Sequence, residues 1–275
     1  MTALLLALGA SLSWGVADFV GPWQGRTLGV LRVMLWAQVG AVVLFGIVMA
    51  ARGEPPRHWS VLWAIPAALS GTLGLYAYYR GMATGAMAVV APIAGASAIV
   101  PVVFGIATGD NPRPAQYGGI ACTLVGVALA SQEHQEAERR IAAGVGLALL
   151  AAIGFGFYFP PMHAAGASDP WWSSFLFRVT TSTLLAVACL VRRPALRLAR
   201  WKLALVVAVG LGDTLGNALF AAASGHGLVS LTSVLASLYP IVTVVLAAAV
   251  LGERVSRPQL VGIVLTLAGV VLIAA

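Results

Sequence analysis

The chain has 275 residues, of which 60% are hydrophobic and 9% are charged. Soluble domains carry about 25% charged residues, so this composition and the mean hydropathy of +0.94 exclude an ordinary soluble domain and a disordered chain. The formal charge of +7 comes from basic residues spread over loops and helix ends. Because no separate basic domain exists, this charge argues against nucleic acid as a partner and favours a lipid bilayer.

Ten predominantly apolar runs follow one another along the chain. Each approaches the length of about 20 residues that crosses a hydrocarbon core. They lack the alternating pattern of a membrane barrel, so they predict helices. Gly21-Pro22 is interpreted as the end of the first span, and Pro160-Pro161 as the end of the sixth. The predicted spans are residues 2–21, 29–50, 59–80, 86–108, 114–130, 141–162, 171–191, 201–223, 228–250 and 257–274.

The two halves of the chain contain an internal duplication. Residues 109–129 and 252–272 share nine identical positions at a shift of 143 residues. Thr72-Leu73-Gly74 also repeats as Thr214-Leu215-Gly216 at a shift of 142. Such self-similarity over long distances indicates that one half arose as a copy of the other.

The duplication divides the chain into a first five-helix repeat at residues 1–130, a polar linker at 131–140 and a second five-helix repeat at 141–275. Because five is odd, the two repeats must enter the membrane in opposite directions. The predicted fold is therefore an all-α integral membrane protein with ten transmembrane helices in two inverted five-helix repeats. This architecture is typical of secondary transporters, whose binding site lies near the middle of the membrane between the repeats.

The end of each half resembles a known family. A span containing proline, a turn of glycine and an acidic residue, and a glycine-rich span follow one another in both halves. The first half shows Pro101 and Gly109-Asp110, and the second shows Pro240 and Gly252-Glu253-Arg254. On these motifs the chain resembles the drug/metabolite transporter superfamily, in its ten-helix EamA-type branch. The resemblance implies gradient-driven transport of small metabolites, such as amino acids or amines, and both termini in the cytoplasm.

Ionisable side chains inside the spans are the strongest functional signal, because an unpaired charge is costly in a bilayer. Asp213 lies midway through the eighth span, and Asn217 follows on the same helix face. The two predict a site for a substrate ammonium group or a proton. The competing interpretation is a structural ion pair between Asp213 and an arginine such as Arg178. Asp18 is a further candidate, although its predicted position near a span end would allow its side chain to reach water.

A second hypothesis assigns anionic metabolites to Arg178 and Arg32, which occupy the seventh and second spans. Their corresponding places in the two halves favour a structural role instead. A channel is a weaker hypothesis, because inverted repeats are typical of carriers. The four histidines lack metal-ligand spacing, and the chain contains neither an HExxH nor a GxSxG motif. The sequence therefore predicts no enzyme, no catalytic residues, no metal and no cofactor.

Aromatic residues within the spans are predicted to line a central cavity, where they would contact organic cations or aromatic solutes. The aromatic candidates are Trp14, Tyr78, Tyr79, Tyr158 and Tyr239. Prolines and glycines inside the spans predict kinks, hinges or close helix packing. The candidates for these roles are Pro92, Pro101, Pro240, Gly212 and Gly216.

The loop charges conflict with the orientation that the resemblance implies. With cytoplasmic termini, the inside loops carry three basic residues, whereas the outside loops and their edges carry eleven. This is the reverse of the positive-inside rule. We expect an inner-membrane protein with both termini on one side, and we retain the cytoplasmic side from the resemblance. The expected partners are a small-molecule substrate, the bilayer and a proton, export is the expected direction, and the chain is expected to act as a monomer or a homodimer.

Overall fold

The computed structural model describes residues 1–84, 94, 96–130, 138–251 and 257–274. These residues form helices and connecting turns, without strands. Short 3-10 segments at Trp59–Trp63 and Ala96–Ala98 precede α3 and α4. The α-helices of the described chain are α1 Thr2–Leu28, α2 Val30–Arg52, α3 Ala64–Thr84, α4 Ile99–Ala107, α5 Pro114–Ala130, α6 Glu138–Ser168, α7 Pro170–Arg192, α8 Arg200–Ser224, α9 Val229–Ala236, α10 Tyr239–Leu251 and α11 Arg257–Ala274.

Six helical segments of the described chain are long and apolar enough to cross a membrane. They are α2, α7, α8, the parts Thr2–Pro22 of α1 and Gly146–Ser168 of α6, and the segment Trp59–Gly81, which includes most of α3. The ninth predicted span is divided into α9 and α10 at Ser237 and Leu238, since Pro240 has no N–H group to continue the helical hydrogen bonds. The prediction of an all-α membrane protein with ten helical spans is confirmed.

Helix packing follows the internal duplication. α3 packs along α6, and α1 packs along α8, so the third helix of each repeat meets the first helix of the other. α2 packs against α7, and α5 packs against α11, so the second and fifth helices meet their own counterparts. A two-fold axis in the membrane plane produces this exchange. The structure therefore confirms two inverted five-helix repeats.

Glycine allows the two repeats to approach closely at two of these contacts. A Cβ atom on Gly154 of α6 would lie 2.6 Å from the Cα atom of Gly74 on α3. A Cβ atom on Gly119 of α5 would lie 2.7 Å from the carbonyl oxygen of Gly269 on α11. Since side chains cannot make contacts this short, a larger residue at either place would separate the helices.

Two proline positions differ from the sequence prediction. α1 continues through Pro22 to Leu28, and α6 continues through Pro160 and Pro161 to Ser168. Membrane helices tolerate proline because neighbouring groups satisfy the backbone atoms that it frees. α1 thus continues for ten residues beyond Asp18, although the apolar segment of membrane-crossing length, Thr2–Pro22, ends four residues beyond it.

Four other predicted features lie at helix ends or outside the described chain. α6 begins at Glu138, which belongs to the predicted linker. The other linker residues up to 137 lie outside the described part of the chain, and so does Pro92. Pro101 is the third residue of α4, and Pro240 is the second residue of α10. At these places the missing N–H group removes no hydrogen bond from its own helix. Pro101 therefore lies where a 3-10 segment passes into an α-helix, and Pro240 lies next to the break at Ser237 and Leu238.

Candidate functional site

A cavity of about 70 Å³ lies between the two repeats. Because one water needs about 10–15 Å³, this volume accommodates several waters or a small solute. Its polar lining residues are Asp18, Gln38, Thr72, Thr181, Asp213 and Asn217. Its aromatic lining residues are Trp14, Phe155, Tyr158, Phe159, Phe177 and Tyr239. The structure thus brings Asp18, Asp213, Asn217 and three of the five aromatic candidates from the sequence to one place.

An ion pair joins α7 and α8 beside this cavity. Arg178 Nη1 donates to Asp213 Oδ2 at 2.7 Å, and the same nitrogen donates to Gln38 Oε1 on α2. The Arg178 side chain is fully buried, whereas the Asp213 side chain is 22% exposed. The structural ion pair that the sequence offered as an alternative role for Asp213 is therefore present.

Arg178 has further donors besides the nitrogen in this pair. Its Nε and Nη2 atoms are buried without a hydrogen-bond partner in the described part of the chain. Its guanidinium carbon lies 5.0 Å from the centroid of the Phe177 ring, which lines the cavity. Arg178 itself lies behind the cavity wall, so its charge acts on the cavity through Asp213 and Gln38.

Asp18 is the second carboxylate of the cavity. It makes no hydrogen bond or ion pair with any residue that the structure describes, and it lines the same space as Asp213. Pro22 lies four residues further along α1 and has no N–H group, so the carbonyl of Asp18 lacks its usual helical donor. Asp18 therefore presents to the cavity a carboxylate that no described side chain neutralises.

A hydrogen-bonded layer fixes the backbone around Asp213. Asn217 Nδ2 and Trp14 Nε1 both donate to the Asp213 carbonyl oxygen, at 2.8 Å and 3.2 Å. The Tyr158 hydroxyl donates to Asn217 Oδ1 at 2.6 Å. The Trp14 and Tyr158 rings, from the first helix of each repeat, meet edge to face with centroids 5.9 Å apart. Asn217 therefore acts as a link between α6 and α8.

Glycine at position 216 makes room for this layer. A Cβ atom on Gly216 would lie 2.5 Å from Trp14 Cδ1, so the indole packs directly on the α8 backbone. Around Gly212 the nearest atoms to a Cβ would lie at 3.8 Å, an ordinary contact distance. Its carbonyl oxygen accepts a hydrogen bond from Ser13 Oγ at 2.7 Å. Of the two predicted packing glycines, Gly216 is the one at a close contact.

The prediction that Tyr78 and Tyr79 line the cavity is wrong. Both are buried, but they lie one turn beyond Leu75, the last residue of α3 that lines the cavity. The Tyr79 hydroxyl instead lies against Gly21 of α1, where a Cβ atom would be 2.0 Å from it. Sequence spacing placed these tyrosines on the correct face of α3 but at the wrong depth.

The two arginines at corresponding spans also differ in depth. Arg178 is the ninth residue of α7, whereas Arg32 is the third residue of α2. Arg32 lines a second cavity, at the end of the bundle where α1 turns into α2. The two arginines therefore do not form one symmetric binding site.

Sequence reasoning missed Gln38, which accepts from Arg178 and lines the cavity. The candidates from the sequence were ionisable and aromatic side chains, together with one neutral amide, Asn217, because it follows Asp213 on the same helix face. Gln38 is the one uncharged polar side chain in the 23 residues of α2, and that isolation was an available signal. Thr181 was missed for the same reason, although its hydroxyl lies 3.3 Å from Gln38 Oε1.

The lining is suited to binding a cation. Two carboxylates, one of them paired, face aromatic rings whose electron-rich faces attract cations. Within the described residues, no three His, Cys, Asp or Glu side chains are grouped so that they could hold a metal ion. The arrangement can therefore hold a small positively charged group between a carboxylate and aromatic walls.

A sequence model of the EamA-like transporter family matches residues 1–132 and 142–275. The chain belongs to the EamA-like transporter family. This EamA-like protein is accordingly a multi-pass membrane transporter of the drug/metabolite type. The proteins of this family are transporters and not enzymes.

The fold of this EamA-like transporter is also found among solved structures. One crystal structure, described only as that of a protein, superposes on this chain with a TM-score of 0.78. The two sequences are 18% identical. The match covers 98% of this chain and 95% of the other chain, so the two share the complete fold. No curated protein matches the sequence significantly.

Proposed function

We propose that the protein carries small metabolites with an ammonium group, such as amino acids or amines, by alternating access, and exports them in exchange for protons. The observation that carries this proposal is the Asp18 carboxylate, which faces the central cavity without a partner among the described residues. An ammonium group and a proton would each neutralise this carboxylate. Because they compete for one group, the movement of one is coupled to that of the other.

The charge balance of the cavity supports a cationic group on the cargo. Asp213 and Arg178 neutralise each other, so Asp18 determines the net charge near the cavity. Trp14, Tyr158 and Tyr239 supply aromatic faces, which are worth about 0.5–2 kcal/mol each to a bound cation. A cargo ammonium bound to Asp18 would therefore replace the proton there without leaving a charge uncompensated.

Alternating access requires the two repeats to move about the cavity. The cavity receives lining residues from both repeats, and its α10 wall begins at the break between α9 and α10. This break supplies a place where one wall changes direction without unfolding a continuous helix. We therefore assign the moving part to the α9–α10 break and the fixed binding group to α1.

Transport measured electrically in liposomes tests the proposal. Amines, zwitterionic amino acids and organic anions are applied to the purified protein on a solid-supported membrane, with and without a pH gradient. We expect a saturable current for a zwitterionic solute, because its exchange for one proton moves a net charge. Exchange of a monovalent amine for one proton moves no net charge, so for amines we expect a saturable pH change inside the liposomes. Asp18→Asn should remove the response to the pH gradient and weaken solute affinity about tenfold or more, the value of a charged hydrogen bond.

Glu54→Gln is the matched control, because Glu54 lies on an exposed loop with a side chain that is 59% exposed. This variant should transport like the wild type. Asp18→Glu keeps the charge and should restore part of the coupling. A full gradient-driven current in the Asp18→Asn variant would contradict the proposal.

A carrier of anionic metabolites is the second candidate. It is favoured by the Nε and Nη2 atoms of Arg178, which are buried and without partners in the described chain. This candidate requires currents with organic anions that persist in Asp18→Asn and disappear in Arg178→Lys, since lysine cannot reproduce the guanidinium geometry. The same assay therefore separates the two candidates.

We further propose an inner-membrane location with both termini in the cytoplasm. Cysteines introduced at Pro56 and Ala195 lie in loops at opposite ends of the helices, after α2 and after α7. In a variant without Cys122 and Cys189, an impermeant maleimide applied to intact cells should then label position 195 and leave position 56 unlabelled. The reverse pattern would place the basic loops inside and overturn this orientation.

A further inference from the structure

A second cavity, of about 460 Å³, lies at the end of the bundle where α1 turns into α2. Its walls come from this turn, from the C-terminal half of α3 and from the segment between α7 and α8. The residues that characterise it are Leu28, Leu31, Arg32, Tyr76, Arg80 and Pro194. None of these residues takes part in the central cavity, so the second cavity is a separate site.

The charge of this second cavity is positive. Arg32 and Arg80 both line it, and no acidic side chain is found among its described lining residues. The Nε atom of Arg32 is buried and has no hydrogen-bond partner within the described chain. A buried guanidinium donor without an acceptor indicates that an acceptor is supplied from outside the described protein atoms.

The first turn of α2 adds further donors. Val30, Leu31 and Arg32 all line the second cavity, and their N–H groups are the ones for which a helix offers no acceptor. Gly29 precedes them without a side chain that could cap the helix, and the first turn contains no acidic residue. An uncapped helix start of this kind binds anions, because its N–H groups and helix dipole both favour negative charge.

The corresponding helix of the second repeat is capped from within the chain. Asp169 precedes α7, and its Oδ1 atom accepts hydrogen bonds from the N–H groups of Trp171 and Trp172, each at 3.1 Å. In α7 a carboxylate of the protein thus occupies the anion position at the helix start. In α2 the same position opens into a cavity with two arginines.

We propose that the second cavity binds the phosphate group of an anionic phospholipid, held by Arg32, Arg80 and the first-turn N–H groups of α2. Phosphate matches this set because it accepts several hydrogen bonds and pairs with guanidinium groups. A lipid is favoured because the cavity lies at the ends of spans, where headgroups lie, and because Leu28 and Leu31 provide aliphatic wall for a chain. The proposal is independent of the cargo in the central cavity.

Native mass spectrometry of the detergent-purified protein tests the proposal. The protein is mixed with equal amounts of phosphatidylglycerol and phosphatidylcholine, and the lipid that remains bound is identified. We expect the wild type to retain phosphatidylglycerol in preference to phosphatidylcholine. Arg32→Gln should reduce this retention about tenfold. Arg200→Gln removes an exposed arginine at the same end of the bundle, outside the cavity, and should change nothing.

Val30→Asp provides an independent variant that keeps both arginines. It places a carboxylate at the first turn of α2, in imitation of Asp169 at α7, and favours the helix through its dipole. We expect it to remove phosphatidylglycerol retention as Arg32→Gln does. Arg32→Lys keeps the charge and should retain part of the binding. Equal retention of phosphatidylglycerol by wild type, Arg32→Gln and Val30→Asp would overturn the proposal.

A thermal-shift measurement distinguishes a lipid from a soluble source of phosphate. A rise in Tm with phosphatidylglycerol but not with inorganic phosphate, lost in Arg32→Gln, supports the lipid. A rise with inorganic phosphate alone, lost in the same variant, supports the phosphate site but assigns it to a soluble anion. Rises that are the same in the wild type and in Arg32→Gln would contradict a site at Arg32.

Discussion

α2 and α7 are the second helices of their repeats and pack against each other, yet they carry different chemistry at the first turn and at the middle. α7 begins at a carboxylate cap from Asp169 and carries the fully buried Arg178 at its middle. α2 begins without a cap and carries Gln38, the neutral partner of Arg178. The comparison shows that duplication has retained the packing, while the ninth helix position carries a buried arginine in α7 and a neutral glutamine in α2. The two repeats therefore build one asymmetric site.

The largest expected effect comes from the arginine that distinguishes α7 from α2. Arg178→Gln leaves Asp213 without its counter-ion, and removing one partner of a buried pair costs about 3 kcal/mol in the free energy of unfolding. Arg32→Gln should cost less than about 1 kcal/mol, because Arg32 lies near the helix end. Denaturant unfolding of both variants in detergent measures the difference.

The double variant Arg178→Gln/Asp213→Asn is the control for this pair. It removes both charges, so it should recover part of the stability lost in Arg178→Gln. Equal losses of unfolding free energy in Arg178→Gln and Arg32→Gln would contradict the conclusion that only α7 carries a buried, paired arginine.

A smaller effect is expected at the contact between α8 and α1. Gly216→Ala places a Cβ atom where the Trp14 indole lies and should cost about 2 kcal/mol through overpacking. Gly212→Ala adds the same atom one turn earlier on α8, where the nearest atoms are 3.8 Å away, and should be tolerated. The Tm of the two variants measures the loss of stability. Their solute affinity in liposomes shows whether the cavity beside Trp14 is altered as well. A Gly212→Ala variant as unstable as Gly216→Ala would show that α8 tolerates no added volume.

The smallest effect concerns the helix cap that α2 lacks. Asp169→Ala removes the acceptor for two N–H groups at the start of α7 and should cost about 1 kcal/mol in unfolding free energy. Asp169→Asn retains a side-chain oxygen and should lose much less. If both variants unfold like the wild type, the cap at α7 is energetically neutral. The missing cap at α2 would then no longer argue for an anion at the start of that helix.

The fold was largely predictable because hydropathy and internal repetition are properties of consecutive residues. Spans such as 29–50 and 171–191 agree with α2 and α7 to within a few residues. A kink at Pro240 was predicted, and the break lies just before it at Ser237 and Leu238, whereas the passage of α1 through Pro22 was not predicted. Both depend on which neighbouring groups satisfy a carbonyl that proline leaves free, and sequence does not specify those neighbours.

The site was predictable in its charges and less so in its contacts. The pairing of Asp213 with Arg178 was foreseen as an alternative, because a buried charge requires a partner. The role of Gln38 and the depth of Tyr78 and Tyr79 depend on how each helix is rotated and shifted against the others. Hydropathy defines the limits of a span but not its rotation, so these contacts required the structure.

The ion pair between Arg178 and Asp213 also has a consequence for membrane insertion. An arginine in the middle of a single helix costs about 2.5–3.5 kcal/mol when that helix enters the bilayer alone. Asp213 lies on the next helix, which a short connection after Arg192 joins to α7. We therefore expect α7 and α8 to leave the insertion machinery together as a hairpin whose charges already neutralise each other, before either helix meets α2.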